Sequence, residues 1–315
     1  MICIFNISSI RHCDAMYISL IHYIIINILL IDLVLMYKNK IGVVDIKGGF
    51  GNQLFQISFA KYLIDNDINI YLNTRNFERS KNIKNLEVDL RELILPVDVF
   101  EMEEISNVKF KIIETIQNIS RDKMVKKFTD NNFEIDQLSK VNRFDGYWQK
   151  SDYFYHSKNF LVSSLKKNKI IESGLKSDKI KGSTMLHIRR GDYLKMGETL
   201  STNYYKQALE IANKNIKNFS FSVFTDDEGW VKENTLFNDA ENVFYSTNSK
   251  DDTLSTFSQM LNYENFIVAN STFSLLAALL AQTESTFVLI PDPWFRKSNK
   301  KMQFKSTIKI SNEIE

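Results

Sequence analysis

The sequence predicts an α/β protein built from two doubly wound parallel-sheet domains that face each other across a cleft. Three observations lead there. A β-branched run that ends in glycines, IGVVDIK (41–47), is followed by a helical pattern and then by a second strand-like run, INIYLN (68–73), which is the layout of a βαβ unit. Beyond residue 181 strand-like and helical runs alternate regularly. The chain has 315 residues, 44% apolar and 25% charged, enough ordinary globular sequence for two domains.

The first helix reads NQLFQISFAKYLIDN, with Leu54, Phe55, Phe59, Tyr62 and Leu63 at helical spacing and Asn52 placed to cap it. Residues 86–165 mix an amphipathic helix, EMEEISNVKFKIIETIQ, with an aromatic patch, FDGYWQKSDYF (144–154). The lysine- and serine-containing run 166–181 reads as the linker between a first domain at 41–165 and a second at 182–300, with 301–315 left as a C-terminal tail. In the second domain TMLHIR, FSFSVFT, NVFYS, FIVAN and TFVLI are strands, and YYKQALEIANKNI, a short segment around Trp230, TLSTFSQML and STFSLLAALLAQ are helices.

Residues 1–40 form a hydrophobic extension of a different character. The run Met16–Met36 is long enough to cross a bilayer, but Ser19, His22, Asn27 and Asp32 interrupt it. A central aspartate alone costs about 2.5–3.5 kcal/mol on insertion. Lys38 and Lys40 follow the run, so an inserted extension would hold the body on the cytoplasmic face, in peripheral contact with the membrane. Two readings stand open: a membrane-proximal extension, or a chain whose translation starts at Met36 with MYKNKIGVVDIKGG. Both predict a cytoplasmic body.

Composition narrows the function. Forty basic against 38 acidic side chains give a net charge of +2, which removes any bulk electrostatic case for nucleic acid. Cys3 and Cys13 cannot build a disulfide framework or a four-cysteine zinc site, and His12, His22, His156 and His187 are scattered without metal-ligand spacing.

In doubly wound sheets, ligands bind beyond the carboxyl ends of the strands. Four segments lie at such ends. Lys47-Gly48-Gly49-Phe50-Gly51-Asn52-Gln53 places three glycines in a strand-to-helix turn, where a ligand can approach the backbone and amide side chains can meet hydroxyl or phosphate oxygens. In His187-Ile188-Arg189-Arg190-Gly191-Asp192-Tyr193, alternation puts His187 and Arg189 on one face, a ready clamp for a diphosphate. Phe224-Thr225-Asp226-Asp227 could chelate a cation, accept from guanine N–H groups, or cap the next helix. Asn270-Ser271-Thr272-Phe273-Ser274 opens a helix, as an anion site or an ordinary cap.

Taken in order, GGFGNQLFQ, HIRRGDY, FSVFTDD and IVANSTFS resemble the successive motifs of glycosyltransferase family 11, whose members are α-1,2-fucosyltransferases, and GYWQKSDYF resembles that family's aromatic element. The likeness spans about residues 41–294. It implies a GT-B-like fold of two Rossmann-type domains. It further implies inverting transfer of L-fucose from GDP-β-L-fucose to the 2-hydroxyl of a galactoside-type glycan acceptor in surface-glycan synthesis, O-antigen or capsule, with no cofactor and no required metal. Another linkage or deoxyhexose, and a GDP-sugar-binding protein without turnover, are the alternatives.

Carried over residue by residue, Arg189 and His187 would contact the diphosphate with Arg190 in support, Asp226 or Asp227 would meet guanine, and Asn270, Ser271 and Thr272 would hold a phosphate. Gly48, Gly49, Gly51, Asn52 and Gln53 would line the sugar side. Arg189 is the expected catalytic cation, and Asp192 and Glu198 are candidates for the base on position alone. Closure of the two domains would bring both substrates together and exclude water. The chain departs from the family pattern at SLLAALL after the last motif and at Asn262-Tyr263-Glu264-Asn265 before its strand, which bears on acceptor preference and packing.

Overall fold

The structure, a computed structural model, describes residues 40–77, 93–120, 125–246 and 250–312. The expectations for residues 1–39 lie outside these. Among the described residues no helix is long and apolar enough to cross a membrane.

The first sheet contains β1 (Ile41–Asp45), β2 (Asn69–Asn73), β3 (Glu103–Glu104), β4 (Val125–Phe128) and β5 (Val141–Phe144), in the order β3-β2-β1-β5-β4 with every pairing parallel. All five residues of β1 are buried, as a central strand covered on both faces requires. Helices α1 (Phe50–Ile64), α2 (Asn107–Ser120) and α3 (Ser151–Leu165) accompany it.

The second sheet contains β6 (Ile180–Ile188), β7 (Ser220–Thr225), β8 (Val243–Tyr245), β9 (Tyr263–Ile267), β10 (Val288–Asp292) and β11 (Ile308–Ser311). Its order is β11-β10-β9-β6-β7-β8, again parallel throughout. Helices α4 (Lys169–Lys176), α5 (Gly191–Met196), α6 (Thr202–Asn215), α7 (Glu228–Glu233), α8 (Lys250–Met260) and α9 (Thr272–Ala281) belong to this half. This is the GT-B-like arrangement of two doubly wound α/β domains that the sequence predicts.

The chain reverses its direction across the sheet between β1 and β5 in the first half and between β6 and β9 in the second. Loops leaving such neighbouring strands in opposite directions open a crevice, and ligands settle there. The loop after β1 carries Gly48–Gly51. Those after β6 and β9 carry Arg189 and Asn270–Thr272.

Helix α1 decides how the halves meet. Its buried residues include Phe50, Leu54, Phe55, Ile57, Phe59 and Leu63, which lie around most of its circumference rather than on one stripe. It packs on its own sheet, on α3, and on α9 of the other half. Phe50 meets Phe257 of α8 edge-on with ring centres 5.0 Å apart. The apolar core therefore runs without a break from Val44 and Phe59 to Leu276 and Ile290. Gly51 makes the approach fit: a Cβ there would stand 2.4 Å from the Thr272 carbonyl carbon.

Three expectations need correction. Run 166–181 holds a helix, α4, capped by Asn168, whose side chain accepts from the N–H groups of Ile170 and Ile171. Ile171 and Leu175 turn to the core between lysines, and Gly174 seats the helix against Ser258 of α8. Residues 301–315 are not simply a tail, because Ile308–Ser311 form β11, paired along β10, with Ile310 buried. Asn52 does not cap α1: the helix begins two residues earlier, with Gly49 at the cap position and no side-chain cap.

Gly51→Ala is expected to cost about 1–3 kcal/mol, as overpacking does. At this chain length that lowers Tm by about 2–4 °C per kcal/mol. Gly229→Ala on α7, where the nearest atom is 3.8 Å from the added Cβ, is expected to keep or raise Tm. Differential scanning calorimetry of the two variants checks the contrast.

Candidate functional site

A cleft of about 880 Å³ lies between the carboxyl ends of the two sheets. The first half contributes Lys47–Asn52, Tyr147 and Gln149, and the second His187, Arg189, Asp192, Asp226, Asn270–Phe273 and Lys300.

On the first half, Gln56 ties the two loops that flank the crevice. Its Oε1 accepts from Lys47 N–H at 3.0 Å and its Nε2 donates to the Gly146 carbonyl at 3.1 Å. Gly48 takes φ +78°, which a Cβ would oppose. Gln53 faces away from the cleft: its amide donates to Gly48 O at 2.9 Å and accepts from Ile94 N–H at 3.1 Å. Beside the turn, Lys47 and Lys127 pair with Asp145, which lies at the end of β5. These pairs outweigh the opposing effect of burial and hold the Asp145 carboxyl down at about 2.

On the second half the turn after β6 is fixed by carboxylates. Asp226 accepts from the N–H groups of Arg190 and Gly191 at 2.7 and 3.2 Å and pairs with Arg189 Nη1 at 2.8 Å. Arg189 Nη2 reaches Asp192 at 2.7 Å. The guanidinium side chain is 17% exposed and borders the same cleft as the glycine turn. Arg190 points elsewhere, pairing with Asp227 at 2.9 Å and lying 4.4 Å from the Trp230 ring centre. Asp227 also caps α7 through Trp230 N–H, so its expected contact with guanine would compete with two existing bonds.

Glu198 is not placed as a base. It is buried, and its two oxygens accept from the N–H groups of Arg296 and Lys297, both at 2.9 Å. Arg190, Asp227, Glu198 and Gln53 thus sit behind the cleft wall, while the other residues expected there line it. Asp192 is the remaining carboxylate from the pair proposed for proton removal.

His187 is buried, with Nδ1 2.8 Å from Ser274 Oγ, which itself reaches the Ser271 carbonyl at 3.2 Å. Burial, and then the charge on Arg189, bring its pKa down to about 3, so the ring is neutral at pH 7. Asn270 is fully buried. Its Nδ2 donates to the Glu198 carbonyl at 2.7 Å, and its buried Oδ1 has no hydrogen-bond partner among the described residues.

Neither α1 nor α9 has a side-chain cap. Their amino termini meet at the Gly51–Thr272 contact, so the exposed N–H groups and the positive ends of both helix dipoles converge on the cleft beside Arg189. The arrangement suits an anion of phosphate type. Asn52 Oδ1 accepts from both Gln149 Nε2 (2.7 Å) and Thr272 Oγ1 (3.0 Å), joining the two halves across the floor. Lys300 Nζ donates to Gln149 Oε1 and extends this chain.

Lys47, Gln56 and Gln149 lie within or beside the quoted motifs without a role assigned to them, and Lys300 lies outside every motif. Gln149 lies in the aromatic element GYWQ, but Lys300 carries no local signal, standing among lysines at the end of a domain. No cluster of three or more metal-ligating side chains occurs among the described residues.

The buried histidine makes a pH prediction. Unfolded, His187 takes a proton near its ordinary value of 6.5, whereas folded it does so only at about 3. Between these the unfolded state holds more protons, so stability falls as pH drops, by up to about 1.4 kcal/mol per pH unit from this group. His187→Asn is expected to flatten that portion of the curve, measured by urea unfolding between about pH 7 and about pH 4.

The chain is similar in sequence to known proteins. Residues 38–309 match the model of glycosyl transferase family 11. An alpha-1,2-colitosyltransferase of Escherichia coli is 27% identical over 283 residues, covering 82% of this chain and 93% of the relative. The O-antigen biosynthesis glycosyltransferase WbnK of Escherichia coli is 34% identical over 126 residues, 38% of this chain and 41% of its own. Among solved structures, NodZ alpha-1,6-fucosyltransferase co-crystallised with GDP aligns at 14% identity and a TM-score of 0.41, covering 77% of this chain and 92% of that one. With the family model matched over nearly the whole described body and its four motifs gathered at one cleft, the chain belongs to glycosyltransferase family 11.

Proposed function

We propose that the protein transfers a 6-deoxyhexose of the L-fucose type from its GDP derivative to the 2-hydroxyl of a galactoside, with inversion, in surface-glycan synthesis. The observation that carries this reading is the position of Arg189, held beside the uncapped amino terminus of α9 in the interdomain cleft. Family membership supports the reaction class, and the α-1,2 linkage and deoxy sugar named for the colitosyltransferase support the finer statement.

In-line displacement builds positive charge on the sugar and negative charge on the departing diphosphate. A guanidinium pinned by Asp226 and Asp192 does not reorganise as that charge grows, so it favours the transition state over the bound donor. Guanine would fill the branch of the cleft formed by Phe224, Thr225, Phe244 and Thr256, beside Asp226. Three of the four lone-pair directions of the Asp226 carboxylate are used, which leaves one for a base N–H. Asp226 and Asp227 are each committed to an arginine, so the reading requires no metal at that pair. Asp192 would take the acceptor proton, directly or through water.

A second donor has a specific observation behind it, the likeness to a colitosyltransferase over 82% of the chain. Colitose lacks the 3-hydroxyl of fucose. A site that hydrogen-bonds that hydroxyl rejects the sugar lacking it by about 10⁴–10⁵, whereas a site that leaves it uncontacted accepts both. Competing GDP-L-fucose against GDP-L-colitose, with UDP-sugars as controls, decides between them.

Removal of the whole Arg189 side chain would also unseat Asp226, so Arg189→Lys is the cleaner test. It is expected to keep the fold and to lower kcat by about 10²–10³ with GDP-fucose and a galactose-terminated oligosaccharide. Wild-type turnover in the lysine variant would remove the proposed role.

A further inference from the structure

Among the described residues that line the cleft, one cation has no carboxylate contact. Lys47 is paired with Asp145, which also holds Lys127 outside the cleft lining, and Arg189 is paired with both Asp226 and Asp192. Arg189 and its two carboxylates together carry a net negative charge, a poor field for attracting a diphosphate. Lys300 is held differently. Its Nζ donates to the neutral amide oxygen of Gln149, and an ammonium has two further N–H donors to offer.

The position is built rather than incidental. Lys300 sits in a closed loop in which Trp294 N–H donates to its carbonyl at 2.6 Å and its own N–H donates to Phe295 O at 3.1 Å. Trp294 and Met302 on either side are buried, so the backbone is anchored. The ammonium is carried on the amide chain Gln149–Asn52–Thr272, which ends at the first residue of α9. Burial lowers the Lys300 pKa, the sign of a cation held partly out of water. Asp130 opposes that shift from nearby, but its two oxygens are already bonded to the N–H groups of Tyr147 and Trp148 at 2.8 and 2.5 Å. An unpaired, half-desolvated ammonium is costly to maintain. In a cleft built for a phosphate anion, the arriving ligand is the missing partner.

We propose that Lys300 is a diphosphate-binding residue, a cation free of any carboxylate contact that helps draw the nucleotide sugar in and remains with the nucleoside diphosphate as it leaves. This rests on the functional reading above and adds a residue that lies outside all four motifs. It forms no covalent bond and transfers no proton.

Calorimetric titration of the full chain with GDP and with guanosine tests it, using wild type, Lys300→Met and Lys300→Arg. Lys300→Met is expected to weaken GDP binding by about 10–100-fold, the effect of one charge-assisted contact, while guanosine binding stays at the wild-type value. Lys300→Arg is expected to recover most of the GDP affinity, and the methionine variant to show a shallower dependence of GDP binding on salt. GDP affinity in Lys300→Met indistinguishable from wild type would overturn the proposal. So would equal losses for GDP and guanosine, since a structural brace would weaken both. Wild type that binds no GDP would instead overturn the functional reading itself.

Discussion

The close approach of α1 to α9 at Gly51 is the constraint on which the rest of the molecule depends. Two doubly wound sheets placed side by side do not by themselves make one site. Here the first turn of one half's helix lies against the first turn of the other's, close enough that only hydrogen fits at position 51. That contact brings two uncapped helix amino termini together, and with them the glycine turn and the Asn-Ser-Thr loop. It also explains why α1 is apolar around most of its surface. A helix with sheet on one side, α3 on another and α9 on a third has little surface left for solvent.

Electrostatics in the cleft follow from how rigidity is obtained. Asp226 fixes the turn after β6 by holding two backbone N–H groups and Arg189 at once. Such pinning serves a transition state well, because the guanidinium is already oriented when charge develops. It serves ligand capture poorly, because the carboxylates cancel the field of the arginine at longer range. Orientation and attraction are different tasks. Helix dipoles, and an ammonium resting on a neutral amide, can supply the second while the pinned arginine supplies the first.

Much of this was legible in sequence because local signals and tertiary demands agreed. The βα alternation after residue 181 predicts every strand of the second sheet except β11, and glycines or hydroxyl residues at strand ends point to one cleft. What misled was residue type read without partners. Glu198 looks like a base, yet it is consumed by the N–H groups of residues almost a hundred positions away. Lysines at 166–181 suggested a linker, while Ile171 and Leu175 among them were enough to seat a helix. Asn52 has the residue type of a cap, but its amide oxygen is taken by Gln149 beside it and by Thr272 across the interface. Lys300 could not be found at all from its neighbours, because its significance lies in which carboxylates it does not meet.

The continuous core changes how water exclusion must work. Closure of the two domains, as the sequence suggests, requires an interface that can open cheaply. This one is filled by Phe50, Phe257, Leu54 and Leu276, and separating the halves would expose them at about 25 cal/mol per Å² of apolar surface. The cleft volume, about 880 Å³, lies near the top of the range of about 300–1,000 Å³ for ligand sites. Space on that scale suits a nucleotide sugar together with part of an acceptor. The substrates themselves would then displace the water, with the acceptor seated over the donor sugar as its lid. Under the proposed reaction, hydrolysis of the donor would be held back by occupancy more than by motion, and acceptor fit and transfer efficiency would be one property of the site.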